Sequence, residues 1–160
     1  MRQRPRVAQL TGHGPPTATT LAMRNRSVWA YGHEFFRAAL KTRSAVVQAF
    51  LLGQALELYL KAYLHSLGFT EAQLKKDPYR HNIARLHAEC EERGLGQLVK
   101  TSAAAHTDVQ VLSASYKGKA LQYFSLAYIF VPPRLPKLDR VVRYTRSLER
   151  ALGSRFGVVS

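Results

Sequence analysis

The fold of this chain is decided by one stretch, Phe50 to Leu86, which reads FLLGQALELYLKAYLHSLGFTEAQLKKDPYRHNIARL. Its first part is apolar on nearly every side, which is typical of a helix buried at the centre of a bundle. Gly68 suits the end of that helix, and Asp77-Pro78 stops a short helical turn in the connector that follows. Asn82 can then cap the next helix. The stretch therefore predicts two helices joined by a tight connector.

A polar stripe interrupts the apolar surface of the first of these helices. Gln54, Glu57, Lys61 and His65 follow one another at spacings of three, four and four residues, so they share one side. A polar group that is buried without a partner is costly, so the stripe needs partners or water. We expect a polar cleft that includes His81 from the connector. The alternative is a Glu–Lys pair on a solvated helix edge.

The rest of the chain also has helical patterns. No strand pattern with turn chemistry is present, so we expect an all-α bundle of about five helices. Their expected spans are 17–42, 44–67, 83–93, 107–117 and 136–152, with a short helical turn at 70–76 and with Gly153 ending the last helix. We expect a disordered basic arm over 1–16, one helical domain over 17–153 and a tail over 154–160.

The composition of the chain favours a polyanionic partner. Its 160 residues carry a formal charge of +14, which attracts RNA, DNA or an acidic protein. The single cysteine, Cys90, excludes an internal disulfide and fits a reducing compartment, so we expect a cytoplasmic protein. No apolar run reaches the roughly 18–20 residues of a membrane span, and no metal-ligand or cofactor motif is present. We therefore expect no membrane association, no metal and no cofactor.

Cations recur along the last predicted helix every three or four residues. Only Asp139 and Glu149 oppose them there, and a row of this pitch can follow a phosphate backbone. The alternative is an ordinary solvated face. The residues predicted to bind nucleic acid are Lys137, Arg140, Arg143, Arg146 and Arg150.

Three blocks, taken in order, resemble the HEPN domain (higher eukaryotes and prokaryotes nucleotide-binding domain). FLLGQALELYLKAYL, residues 50–64, is similar to the AxExxLKAxL helix of that family. RHNIARL, residues 80–86, lies where relatives have a Gly-His-Asp-Leu turn. Tyr116 followed by ALQYF, residues 120–124, resembles the Y…LRYP segment. Asn82 replaces the family's aspartate in the turn, and Gln122 replaces its arginine.

The resemblance implies a HEPN-like helical bundle that pairs as a homodimer. It adds Tyr116 and Gln122 to the expected cleft. The apolar segment that contains Tyr123, Phe124, Tyr128, Ile129 and Phe130 also favours a dimer contact. The expected binding cleft comprises Gln54, Glu57, Lys61, His81, Tyr116 and Gln122.

Many HEPN proteins are metal-independent ribonucleases in which an arginine precedes a histidine by four to six intervening residues. This spacing occurs three times here, whereas about two matches are expected by chance at this composition. The chain thus resembles a branch of the family without a clear ribonuclease motif. The matches are Arg6 with His13, Arg26 with His33, and Arg80 with His87.

We expect a domain that binds RNA or another polyanion, and the sequence leaves open whether it is catalytic. One alternative is a non-catalytic scaffold, or a toxin–antitoxin-type subunit, that docks an acidic protein partner. A second alternative is a metal-independent ribonuclease, with His81, Arg80 and His87 as the candidate catalytic residues.

Overall fold

The computed structural model describes residues 17–122, 128 and 130–158. All regular elements in these ranges are helices, so the all-α prediction is confirmed. Seven helices are present there instead of about five, because two four-residue helices accompany the five longer ones. Within these ranges, no helix has both the length and the apolar character that a membrane crossing requires. The helices are α1 (Ala18–Lys41), α2 (Ala45–Ser66), α3 (Glu71–Leu74), α4 (Ile83–Glu92), α5 (Leu95–Leu98), α6 (Ala103–Lys117) and α7 (Leu138–Arg155).

Short polar side chains set where most helices begin. The Thr17 side chain accepts a hydrogen bond from the backbone at Thr20, which starts α1. Asn82 does the same for α4 through the amide of Arg85, as the sequence predicts. Such caps satisfy amides that have no partner inside the helix. The cap of α4 fixes the end of the connector and therefore the position of His81.

Helix α2 is the central element of the bundle, as its apolar sequence predicts. Leu52, Leu56, Leu60 and Leu64 are fully buried on it. The helix packs against α1, α4, α6 and α7. A helix surrounded on most sides has no room for a wide polar face, so its polar residues must find partners inside the bundle.

Helix α7 ends later than the sequence predicts. Gly153 does not end it but lies inside it and is buried against Trp29 of α1. A Cβ at this position would lie 3.1 Å from Cζ2 of Trp29, so glycine permits the close approach of the two helices. Gly157, with φ of +66°, instead follows the cap residue Phe156. The helix therefore extends into the predicted tail.

Several predictions fall outside the described residues. The predicted arm at 1–16 lies there, as do Tyr123, Phe124 and Ile129 of the apolar segment. Of that segment, Tyr128 is half-buried and Phe130 is 84% exposed.

Candidate functional site

Four of the six residues of the expected cleft meet at the Glu57 carboxylate. Helix α2 supplies Glu57 and Lys61 one turn apart, and their side chains form an ion pair. The hydroxyl of Tyr116 on α6 donates a 2.7 Å hydrogen bond to Oε2 of Glu57. Nδ1 of His81 lies 3.2 Å from the same oxygen, because the connector carries the histidine over α2. We call these four residues the Glu57 cluster.

The Glu57 cluster holds a charge inside the protein. Glu57 is only 4% exposed, and this burial by itself would raise its pKa. Lys61, Tyr116 and His81 outweigh that effect, so the net pKa of Glu57 is lowered and the carboxylate stays ionised. Burial and the neighbouring Glu57 both raise the pKa of Tyr116, which therefore remains a proton donor. His81, half of whose side chain is exposed, is the most exposed member of the cluster, and the Lys61 side chain is 17% exposed.

The structure does not join the remaining predicted cleft residues to this cluster. Gln54 is half-buried and Gln122 is exposed, and within the described residues neither is hydrogen-bonded to Glu57. Arg80 is exposed on the connector and makes no ion pair in the described part of the chain. The Glu57 cluster is therefore smaller than the predicted cleft, and His81 is its most exposed member.

His87, predicted as a candidate catalytic residue, is a core residue. It is fully buried, and its Nε2 lies 2.7 Å from the hydroxyl of Tyr144. Burial, with a contribution from nearby His106, lowers the pKa of His87 to about 4. A neutral imidazole enclosed in the core does not reach a substrate, so this geometry does not favour a catalytic role for His87.

The predicted row of cations on α7 divides into two groups. Nη1 of Arg140 lies 2.9 Å from Asp108 of α6, and Arg143 lies 3.0 Å from Asp139 on its own helix. These two cations are thus neutralised locally. Arg146 and Arg150 instead turn toward α1, and the guanidinium of Arg146 lies over the ring of Phe36. The row is not one continuous phosphate-binding edge.

Two adjoining cavities lie between α1 and α7, and they share three lining residues, His33, Arg146 and Glu149. Their volumes are about 270 and 240 Å³. Arg37 and Lys41 line the first, and Arg150 lines the second. We call this region the α1–α7 groove. Its described lining contains four cations, Arg37, Lys41, Arg146 and Arg150, and one carboxylate.

The carboxylate of the α1–α7 groove is engaged by an imidazole. Oε1 of Glu149 lies 2.5 Å from Nδ1 of His33, and the Tyr59 hydroxyl lies 3.4 Å from the same oxygen. The ring of Trp29 stacks on His33 with centroids 5.2 Å apart, which fixes the imidazole plane. Nε2 of His33 has no partner among the described residues. The arrangement presents an oriented ring nitrogen in a cationic surrounding, which suits phosphate binding or proton transfer.

The sequence placed His33 in one of the three arginine–histidine matches, with Arg26, but neither His33 nor Glu149 was among the predicted site residues. His33 follows Trp29 by one helical turn, and Glu149 is one of only two acids in the last helix. These are the available signals, but neither indicates that α1 and α7 are neighbours. Their juxtaposition depends on contacts 116 residues apart, which no local pattern encodes.

The chain matches no protein-family model, curated protein or solved structure. No group of three or more potential metal ligands was found among the described residues.

Proposed function

We propose that the chain binds RNA or another polyanion through the α1–α7 groove. The observation that carries this proposal is the collection of four cations around a concave surface whose described carboxylate is already engaged by His33. The electrostatic attraction of a phosphate is greatest where cations are close together and have no acidic partners. The formal charge of +14 adds long-range attraction.

The proposed binding surface differs from the row of cations that the sequence predicts on α7. Arg146 and Arg150 remain in it, whereas Arg140 and Arg143 already have acidic partners. Arg37 and Lys41 of α1 join it, so phosphates would be held from two helices and not from one row. Lys137 is exposed at the start of α7 and remains a predicted flanking contact.

Binding of single-stranded RNA at several salt concentrations tests the proposal. Arg37→Gln combined with Arg150→Gln removes two exposed groove cations. Each lost phosphate contact should flatten the log–log slope of affinity against salt by about 0.7. The matched control, Lys76→Gln with Arg80→Gln, removes the same charge from the connector beside the Glu57 cluster. Equal losses in both variants would indicate unspecific charge attraction, and a larger loss in the control would move the site to the connector.

A metal-independent ribonuclease is the second candidate, and the oriented His33 favours it over the predicted His81 and His87. In this reaction Nε2 of His33 takes the proton of a ribose 2′-hydroxyl. The 2′-oxygen then bonds to phosphorus, and the 5′-oxygen leaves and is protonated by solvent. His33→Gln should abolish metal-free products that end in a 2′,3′-cyclic phosphate, whereas His106→Gln, an exposed histidine outside the groove, should not.

We also propose that the chain is a HEPN-like domain, that it forms a homodimer and that it is cytoplasmic. The Glu57 cluster supports the first of these, because residues from three of the quoted segments meet in it. The exposed Phe130 supports an apolar contact with a second copy. In the scaffold alternative, the formal charge of +14 favours an acidic protein partner. Light scattering at tens of micromolar protein distinguishes a dimer from a monomer, since an ordinary micromolar dimer is then largely assembled.

A further inference from the structure

A separate cavity of about 320 Å³ lies on another side of the bundle, where α1, α2 and α3 meet. Its walls combine aliphatic side chains, three cations, His65 and the Glu71 carboxylate. This volume is at the small end of ligand pockets, which suits a molecule of few atoms. The residues that matter here are Arg24 and Val28 of α1, Leu58 and Lys61 of α2, Leu74 of α3 and Lys75, which follows it.

Arg24 lines this cavity and carries an unsatisfied donor. Its Nε is shielded from solvent and has no hydrogen-bond partner in the described part of the chain. A buried donor on a charged group that lacks a partner is costly, and native structures seldom leave one so. Arg24 also forms no ion pair with any carboxylate of the described residues. Glu71 also lines the cavity, and Arg24 is among the cations that lower its pKa, but the ion pair of Glu71 is with Lys75. The cavity therefore offers a guanidinium that has no ion pair of its own within the described residues.

The other charges around the cavity balance one another. Both lysines that line the cavity have acidic partners, since Lys61 pairs with Glu57 and Lys75 pairs with Glu71. His65 also borders the cavity, and burial, its largest influence, lowers its pKa so that the ring is neutral. With both lysines paired, Arg24 supplies one uncompensated positive charge. A ligand with a single negative charge matches that surplus.

The aliphatic walls define the rest of the ligand. Val28, Leu58 and Leu74 present only methyl and methylene groups to the cavity. Such a surface favours an apolar body, whose removal from water stabilises the complex. A guanidinium forms two parallel hydrogen bonds with a carboxylate. Because Nε of Arg24 is shielded, the two terminal Nη atoms are the ones that suit a carboxylate head.

We propose that this cavity binds a free monocarboxylate with a short aliphatic chain of about six to eight carbons, in keeping with its small volume. The carboxylate is held by Arg24, and the chain lies against Val28, Leu58 and Leu74. The site is independent of the α1–α7 groove, and no chemical step takes place at it.

Octanoate is the probe that tests the site, with binding followed by amide chemical shifts in the full chain. Saturable shifts confined to α1, α2 and α3 are expected. Octylamine has the same chain with the opposite charge and should not bind, and acetate has the head without the chain and should bind much more weakly. Failure of octanoate to saturate, or equal binding of octylamine, overturns the proposal.

Two variants assign the head and the chain to their residues. Arg24→Gln should weaken octanoate about ten- to hundredfold, the range for a lost hydrogen bond to a charged group. Arg43→Gln, an exposed arginine in the loop after α1, is the matched control and should leave binding unchanged. Leu58→Phe fills the cavity and should also weaken octanoate, which keeps the test valid if Arg24→Gln does not fold. Undiminished binding in either cavity variant, when folded, contradicts the assignment.

Discussion

The Tyr116 hydroxyl donates a 2.7 Å hydrogen bond to the Glu57 carboxylate, and so joins two residues 59 positions apart in the sequence. The bond fastens α6 to the central helix α2. It also completes the set of donors around a buried negative charge, to which Lys61 and His81 contribute from other directions. A charge that is satisfied in this way stabilises the fold only as long as it remains ionised.

Glu57→Gln should therefore destabilise the protein by about 2–4 kcal/mol near neutral pH, because Lys61 loses its buried partner. The folded-state pKa of Glu57 lies below the ordinary value of 4.5. The ionised Glu57 thus stabilises the fold fully above pH 4.5, and this stabilisation is lost as the pH falls through the lower folded-state pKa. Urea unfolding between pH 7 and 3 should show the gap between wild type and variant closing in acid. Glu34→Gln, an exposed carboxyl on α1, should show no such gap.

Leu60→Ala should cost about 2–5 kcal/mol of unfolding free energy, because Leu60 is fully buried at the centre of the bundle. Leu67→Ala, at the exposed cap residue that follows the same helix, should cost less than about 1 kcal/mol. Denaturant unfolding of both variants measures the contrast. Similar small losses would mean that α2 is not the central element.

Arg140→Gln and Arg143→Gln should differ although both arginines lie on α7 and have acidic partners. Asp108, the partner of Arg140, is nearly buried and belongs to α6. Loss of this ion pair in Arg140→Gln should therefore lower the free energy of unfolding by about 1–3 kcal/mol. Arg143 and Asp139 are both 67% exposed, and their pair should contribute no more than about 0.5 kcal/mol. Equal costs in thermal unfolding would argue against an α6–α7 bridge.

Nuclear magnetic resonance should find that the imidazole of His87 titrates near pH 4, well below an ordinary histidine. Because the unfolded chain binds this proton more readily, stability should fall as the pH decreases from about 6.5 toward 4. Tyr144, Glu91 and His106 are the titratable groups around the ring. His87→Gln should remove this part of the pH dependence. A titration midpoint near 6 would place His87 in contact with solvent and reopen its catalytic candidacy.

The helices were predictable because their signals are local. Asn82 caps α4 through a residue three positions away, and the leucines of α2 repeat at helical intervals. The same holds for Glu57 with Lys61, which are one turn apart. His81 was predictable beside them because the connector is short and begins where α2 ends.

The α1–α7 groove was not predictable, because its parts are brought together only by packing. The end of α7 is an example. Gly153 is a residue type that often follows a helix, but here it lies inside α7 and lets Trp29 of α1 pack closely. The pairing of Arg140 with Asp108 was missed for the same reason. A charge pattern along one helix does not reveal which cations a neighbouring helix will neutralise.

The packing of α1 against α7 also determines when the proposed binding surface forms during synthesis. The Trp29 indole donates to the backbone carbonyl of Glu149, 120 residues later. During synthesis, α1, α2, α4 and α6 are made before the α7 half of the groove exists. Contacts of such long sequence separation form slowly. Until they form, the apolar surface of the earlier helices that α7 will cover stays exposed. The four cations of the proposed binding surface are therefore together only after α7 has left the ribosome, because Arg146 and Arg150 lie on it.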